Sequence, residues 1–591
     1  MSSLLSSIKN PSPPKDALSS LPTPPTLPGP TRLVVALATI SATNDPLPFL
    51  PPSSGSAWRA AGKEWAVAVH RMLQLDEAGL PSSVSAEQVR SAAEAHWGDM
   101  QPGEREDLWG KVVDLLVMAS IFQPPIKGEQ VQTVQVDKEA ASGQDSASEK
   151  IKAPETVPTL SYTPIARRFI YTTLHLLHIP TSPHLATTEH QLASRLYTTL
   201  QRLHATDVES ARASQAEGWG GSTGRWVATG AGAIIGGVAI GLTGGLAAPA
   251  IAALVPGFMT FGLLTSATAP VVIGSVFGLA GGGLTSKRVR ERWRGVGEFE
   301  FVDVKMGIEE KEKSSEKEQP DTVPSLIATI VVPGLLTKSR TEAIDAWREK
   351  IIPASTLHDG RDIYVLKYET EHMLQTGKAI DSWVTSKLKG YVKKEVIKRT
   401  VLSAYFMAVS LPMSVYNMAS LGLDNTWVQS QDKAIKAGRL LGEVLEKQVQ
   451  GQRPVVLVGS SLGALTILHA LLYLSSRAAT TKTPLPQIVD SAFLISLPSA
   501  PSTEEWQACR QVVARRLVNA WCEKDLVLAG IVRLHEVLSR AVTLQNGVHV
   551  AGLRAVNQPG VEDVDLSDVI EGHLDIQRQM GEVLKVIRID E

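Results

Sequence analysis

Three short motifs in the last third of the chain carry residue types that can do chemistry together. In VVLVGSSLGALTILHALLYL, the sequence Gly459-Ser460-Ser461-Leu462-Gly463 reads G-x-S-x-G, directly after a β-branched run and directly before an apolar helical pattern. A nucleophile on a sharp strand-to-helix turn needs small neighbours, which Gly459 and Gly463 supply, so Ser461 is the expected nucleophile. The helix behind it aims free N–H groups and a positive dipole end at the same place, which favours an oxyanion.

A serine hydroxyl is a weak nucleophile until a base takes its proton, and an acid must hold that base in the right tautomer. In the chain order nucleophile, acid, base, the loop after RRLVNAWC supplies Asp525, with Glu523 as the substitute and helix capping as the competing role for Asp525. Four histidines follow Ser461: His469, His535, His549 and His573. His469 and His535 lie in helical patterns and His549 flanks an expected strand, VHVAGLRAV. His573 lies in VEDVDLSDVIEGHLDI, read as a polar loop before the last helix, and is the expected base. The oxyanion hole is expected from the N–H of Leu462 and from the PGLL loop, through Leu335 or its neighbour Leu336, with Gly334 allowing close approach. This chemistry requires no metal or organic cofactor.

The elements that must position these residues follow from the pattern. LIATIVVPGLL, RDIYVLKY, RPVVLVG, DSAFLISLP, RRLVNAWC and VHVAGLRAV are short apolar runs separated by helical patterns, which predicts an α/β fold with a mostly parallel sheet covered on both faces. Residues 324–591 are assigned to this domain, with a helical insertion at about 372–450. Its lysines at 387, 389, 393, 394 and 398 read first as a solvated helix face.

Upstream, residues 1–31 form a Pro/Ser-rich tail expected to be disordered, 32–123 a helical segment, 124–160 a polar linker and 161–225 a second helical region. Residues 226–286 contain no Asp, Glu, Lys or Arg although a fifth of the chain is charged, and 14 of these 61 residues are Gly. Arg225 precedes the block and Lys287, Arg288, Arg290, Arg292 and Arg294 follow it. A two-pass membrane hairpin with both basic ends and the catalytic domain on the cytoplasmic side is the expected arrangement. A Gly/Ala-rich hairpin buried in a soluble fold, or packed as a lid, is the alternative. Residues 287–323 read as a basic flank and charged linker.

Composition narrows the classes. Lys plus Arg number 58 and Asp plus Glu 60, for a net charge of −2, which lacks the basic footprint of a nucleic-acid binder. Two cysteines, Cys509 and Cys522, give neither a disulfide framework nor a metal site.

VGSSLGAL, VNAWCEKDLVLAG and VEDVDLSDVIEGHLDI, with the Gly-rich block and KRVRERW before them, resemble the DUF726 family of eukaryotic proteins, the transmembrane and coiled-coil domain-containing protein 4-like proteins. The resemblance covers roughly residues 160–590. It implies an α/β-hydrolase-like domain behind a membrane segment, with Ser461, Asp525 and His573 on its triad motifs. The functional expectation is a membrane-associated serine hydrolase, esterase- or lipase-like, acting on a lipid or other acyl ester. The competing expectation is a non-catalytic trafficking or scaffold protein whose tail binds adaptor proteins.

Overall fold

In this computed structural model the described residues are 23–44, 52–122, 133–135, 156–158, 160–216, 276–277, 296–304, 324–348, 361–383, 420–481, 488–525, 527–529 and 550–590. Of the tail at residues 1–31, expected to bind adaptors, residues 1–22 lie outside the described residues, as does the hairpin at 226–286 apart from residues 276 and 277.

The first half of the chain builds a helical unit from α1 (Gly29–Asn44), α2 (Pro52–Met72), α3 (Ala86–Gly98), α4 (Pro102–Ile121), α5 (Pro164–Leu176) and α6 (His184–Ala216). Local signals set several of these starts. Ser85 and Gln88 form a capping box on α3, and Thr163 caps α5 just before Pro164, whose missing N–H costs nothing in a first turn. The core joins Trp58, Trp65 and Phe169 to apolar residues of α4, and Val276 and Phe277 are buried in it as well. Residues 23–31 depart from the tail assignment: Leu27 and Thr31 are buried and α1 starts at Gly29, because its apolar face has a core to fill. Within the expected linker 124–160, β1 (Thr133–Gln135) pairs antiparallel with β2 (Thr156–Pro158).

The second half is one seven-stranded sheet with helices on both faces. Its strands are β3 (Phe299–Asp303), β4 (Ala328–Val332), β5 (Asp362–Tyr368), β6 (Val455–Ser460), β7 (Val489–Ile495), β8 (Leu517–Trp521) and β9 (Val561–Asp565), in the order β3-β5-β4-β6-β7-β8-β9. β3 is antiparallel to β5 and every other pairing is parallel. The central strands β4, β6 and β7 are buried along their whole length and mostly apolar because both faces are covered. Val455 and Leu457 point to one core, Val456 and Val458 to the other. α8 (Thr370–Trp383), α9 (Ser420–Glu446), α10 (Leu462–Thr481) and α11 (Thr503–Gln511) lie on the first face. α7 (Glu342–Ala346) and α12 (Ile576–Val586) lie on the second.

Three sequence expectations change here. β3 lies inside the segment 287–323 read as a linker; FEFVD alternates apolar and polar residues, as a half-buried edge strand should. Residues 426–446 of the expected insertion are sheet-covering core, since α9 packs along α10 and Thr466 Oγ1 donates to the Ala434 carbonyl at 3.2 Å. The last strand is VEDVD, not VHVAGLRAV, whose described part holds a 3₁₀ turn at Ala551–Leu553. β9 is an edge strand with a largely polar surface, so the apolar pattern that marks central strands is missing from it.

The helical unit docks on the edge of the sheet where the strands begin. Arg167 Nη1 reaches Asp490 Oδ2 at 3.0 Å and Arg167 Nε reaches Glu189 Oε1 at 2.8 Å, all three side chains being buried. Arg515 adds a second cation at 3.2 Å from Asp490 and stacks over the Tyr171 ring. Burial alone would raise the Asp490 pKa, but Arg167 and Arg515 outweigh it and bring it down to about 2. A carboxylate with a depressed pKa contributes stability that is complete above its ordinary value of 3.8 and lost as pH falls toward about 2. Arg167→Leu leaves Asp490 and Glu189 buried without their main cation, at an expected cost of about 3–5 kcal/mol. In thermal melts from pH 7 to pH 2, this variant should be less stable than the wild type at neutral pH and should lose less stability on acidification, because the linkage that keeps Asp490 ionised is weakened; profiles of the same shape and offset would remove the network from the account.

Candidate active site

The chain leaves β4 toward β5 on one side and returns as β6 on the other, so a crevice opens at the carboxyl ends of β4 and β6. Register brings their loops together: Val332 pairs with Gly459, which sets Pro333 and Gly334 beside Ser460 and Ser461. A Cβ on Gly334 would lie 2.4 Å from the Ser460 carbonyl oxygen, 2.6 Å from Ser461 Cβ and 2.8 Å from the Leu462 nitrogen. Only glycine permits this approach.

Ser461 sits at φ 55°, in the left-handed region that a non-glycine residue occupies at a cost, which is the geometry of a sharp strand-to-helix turn. Its N–H is held by the Ile495 carbonyl at 2.9 Å. The flanking glycines are sterically required: a Cβ on Gly463 would lie 1.9 Å from the Val332 carbonyl, and one on Gly459 would lie 2.7 Å from the Gly463 carbonyl. Leu462 opens α10, so its N–H has no partner within the helix.

Ser461 Oγ lies 2.5 Å from His573 Nε2, and His573 Nδ1 lies 2.7 Å from Asp525 Oδ2. All three residues are buried. His573 stands in a 3₁₀ turn, His573–Asp575, between β9 and α12. Asp525 follows β8, and its two oxygens have separate partners: Oδ2 faces His573 while Oδ1 accepts the Leu528 N–H at 3.0 Å. Of the alternatives, Glu523 meets the His573 loop through its backbone only, His469 lies on α10, and His535 and His549 fall outside the described residues.

Sequence reasoning missed Ser567, which ties the two loops together. Its Oγ accepts the Glu523 N–H at 3.0 Å and its carbonyl accepts Lys524 Nζ at 2.5 Å. A serine in a polar stretch carries no distinguishing signal before the loops meet. Burial, and then the Asp525 carboxylate, push the nearby Cys522 thiol up to about 12, so it stays protonated and inert. Among the described residues, no group of three or more His, Cys, Asp or Glu is placed to hold a metal ion.

This arrangement can pass a proton from Ser461 Oγ to His573 while Asp525 supports the imidazolium, with Gly334 packed against Ser461 and the Leu462 nitrogen. Gly334→Ala should push the PGLL loop off the turn. The expected loss in kcat is on the order of 10²–10³, the size of removing one oxyanion donor, with α10 and the sheet still folded by circular dichroism. Unchanged kcat would exclude this loop from the site.

Fold and site together define an α/β protein with a buried Ser-His-Asp constellation at the carboxyl edge of its parallel sheet. Residues 222–590 match the family described as Protein of unknown function (DUF726), and the chain belongs to that family. It is 31% identical over 378 residues to Transmembrane and coiled-coil domain-containing protein STS1 of Oryza sativa subsp. japonica, covering 61% of this chain and 52% of that protein. It is 32% identical over 372 residues to an uncharacterized membrane protein of Schizosaccharomyces pombe, covering 61% of this chain and 58% of that one. A protein of Saccharomyces cerevisiae named Probable lipase MIL1 is 29% identical over 229 residues, 39% of this chain and 20% of its own length. The chain thus spans about half the length of the first two of these relatives. No solved structure matches.

Several relatives are named as membrane proteins. Among the described residues one helix is long and apolar enough to cross a bilayer, Leu462–Thr480. It is α10, packed between the sheet and α9, so its apolarity serves the core as well.

Proposed function

We propose that this chain is a membrane-associated serine hydrolase of the α/β-hydrolase type that cleaves an acyl ester of a lipid through an acyl-enzyme. The observation that carries the reading is the continuous buried line from Ser461 Oγ to His573 to Asp525, at 2.5 and 2.7 Å. Strand order, the strained turn at Ser461 and the close approach of Gly334 support it independently.

In this mechanism Ser461 Oγ attacks the ester carbonyl carbon as His573 Nε2 takes its proton. The tetrahedral oxyanion is held by the N–H groups of Leu462 and Leu335, and Asp525 stabilises the imidazolium without accepting its proton. Collapse expels the alcohol, which leaves with the proton from His573, and Ser461 remains acylated. Water, deprotonated by His573, then attacks the acyl carbon and releases the acid. The lipid preference rests on the uncharged block 226–286, which would hold the site near a bilayer, and on one relative's name. Fold by itself specifies no substrate.

The test is hydrolysis of fatty-acyl esters in mixed micelles, together with labelling by a fluorescent fluorophosphonate, on full-length protein in detergent. The proposal expects a labelled serine and ester turnover. It would be abandoned if well-folded wild type neither labelled nor turned over any ester, and a non-catalytic platform would then stand in its place.

A further inference from the structure

We propose that Gln577 is a positioning residue that keeps the nucleophile turn and the base turn in register through Ser460. The inference rests on the reading of Ser461 as nucleophile. Gln577 follows His573 by four residues, in the first turn of α12, and its Nε2–H donates to Ser460 Oγ at 3.1 Å. Ser460 ends β6 and directly precedes Ser461. The turn carrying the nucleophile and the segment carrying the base are therefore joined twice: once by the Ser461–His573 contact, whose proton moves during turnover, and once by Gln577–Ser460, whose protons stay in place.

Both turns need such a tie. His573 lies in a three-residue 3₁₀ turn with no side-chain cap, and Ser461 holds a strained φ of 55°. Behind them α12 is firmly seated: Ile576, Met580, Val583 and Leu584 are buried in the core on the second face of the sheet. Gln577 passes that rigidity to the nucleophile turn. As the acyl-enzyme forms, the Ser461–His573 contact breaks, and the Gln577 bond still ties the two segments together among the described residues.

A purely structural role fits the residue poorly. Gln577 Oε1 is buried and has no partner among the described residues, so the amide is only half satisfied and weakens the packing around it. An apolar side chain of similar length would stabilise the fold better. A half-satisfied amide beside a nucleophile is the kind of local cost that functional sites carry.

The experiment measures fluorophosphonate labelling rates and ester-turnover constants on the full chain for wild type, Gln577→Met, Gln577→Glu, Ser460→Ala and the Gln577→Met/Ser460→Ala double variant, with a thermal melt of each. Gln577→Met should slow labelling and lower kcat by about tenfold with KM within about twofold, and should melt at or above the wild-type temperature. Ser460→Ala should show the same slowing, and the double variant should be no slower than either single one, because all three remove one interaction. Gln577→Glu, whose carboxylate can accept the Ser460 hydroxyl proton, should recover most of the rate. Wild-type rates in Gln577→Met, or effects that multiply in the double variant, would overturn the proposal while leaving the nucleophile in place. Absence of labelling in the wild type itself would instead overturn the hydrolase reading, and this inference with it.

Discussion

Ser461→Ala should abolish fluorophosphonate labelling and reduce ester turnover by a factor on the order of 10⁶, and His573→Ala should cost about as much, since members of such a unit fail together. The reason is geometric. Oγ of Ser461 is 2.5 Å from the nitrogen that would take its proton, and the other described histidine that follows it, His469, sits on α10 outside the relay. The double variant should be no slower than either single one, with a residual rate left to the Leu462 and Leu335 N–H groups. Both single variants should fold, because neither side chain fills a large part of the core; loss of Oγ leaves one buried imidazole nitrogen unpaired, a cost of about 1–3 kcal/mol. Labelling that persists in Ser461→Ala would move the nucleophile elsewhere.

Asp525→Asn should lower kcat by a factor on the order of 10⁴ with little change in stability. The two oxygens of Asp525 do separate jobs, Oδ1 accepting the Leu528 N–H and Oδ2 facing His573 Nδ1. An asparagine keeps the first through its own oxygen, so the segment after β8 stays capped. Its amide nitrogen, however, donates to Nδ1 and drives the imidazole proton to Nε2, where it points at Ser461 and blocks base catalysis. Asp525→Ala loses both functions and should also lose about 0.5–2 kcal/mol of stability with the cap. Equal kcat in Asp525→Asn and wild type, measured alongside melts, would assign Asp525 to capping alone.

The parts of the site that were legible beforehand share one property: their chemistry is local in the chain. G-x-S-x-G between a β-branched run and a helix forces a tight turn through short-range sterics, and the strands β4 to β8 are short, mostly apolar runs because both faces of the sheet are covered. Elimination among four histidines singles out His573, whereas the strand VEDVD before it has no apolar pattern to mark it, because an edge strand is only partly packed. β3 escaped for the same reason, its alternation diluted by the charged residues around it.

Other features have no local signature. The pairing of Val332 with Gly459, which lays Gly334 against Ser461, is a register between segments more than a hundred residues apart. Ser567 and Gln577 are ordinary polar residues until β8, β9 and α12 converge. The seating of α9 on α10, and the docking of the helical unit through Arg167 and Asp490, likewise depend on which apolar and charged faces meet in space.

Sequence alone therefore determined the α/β class, the turn that presents Ser461 and the order of the candidate triad, since these follow from periodicity and short-range sterics. Tertiary structure alone decided which oxygen of Asp525 faces His573, which glycine approaches Ser461 and which side chains tie the loops together, because a hydrogen bond depends on ångström distances that sequence separation does not encode.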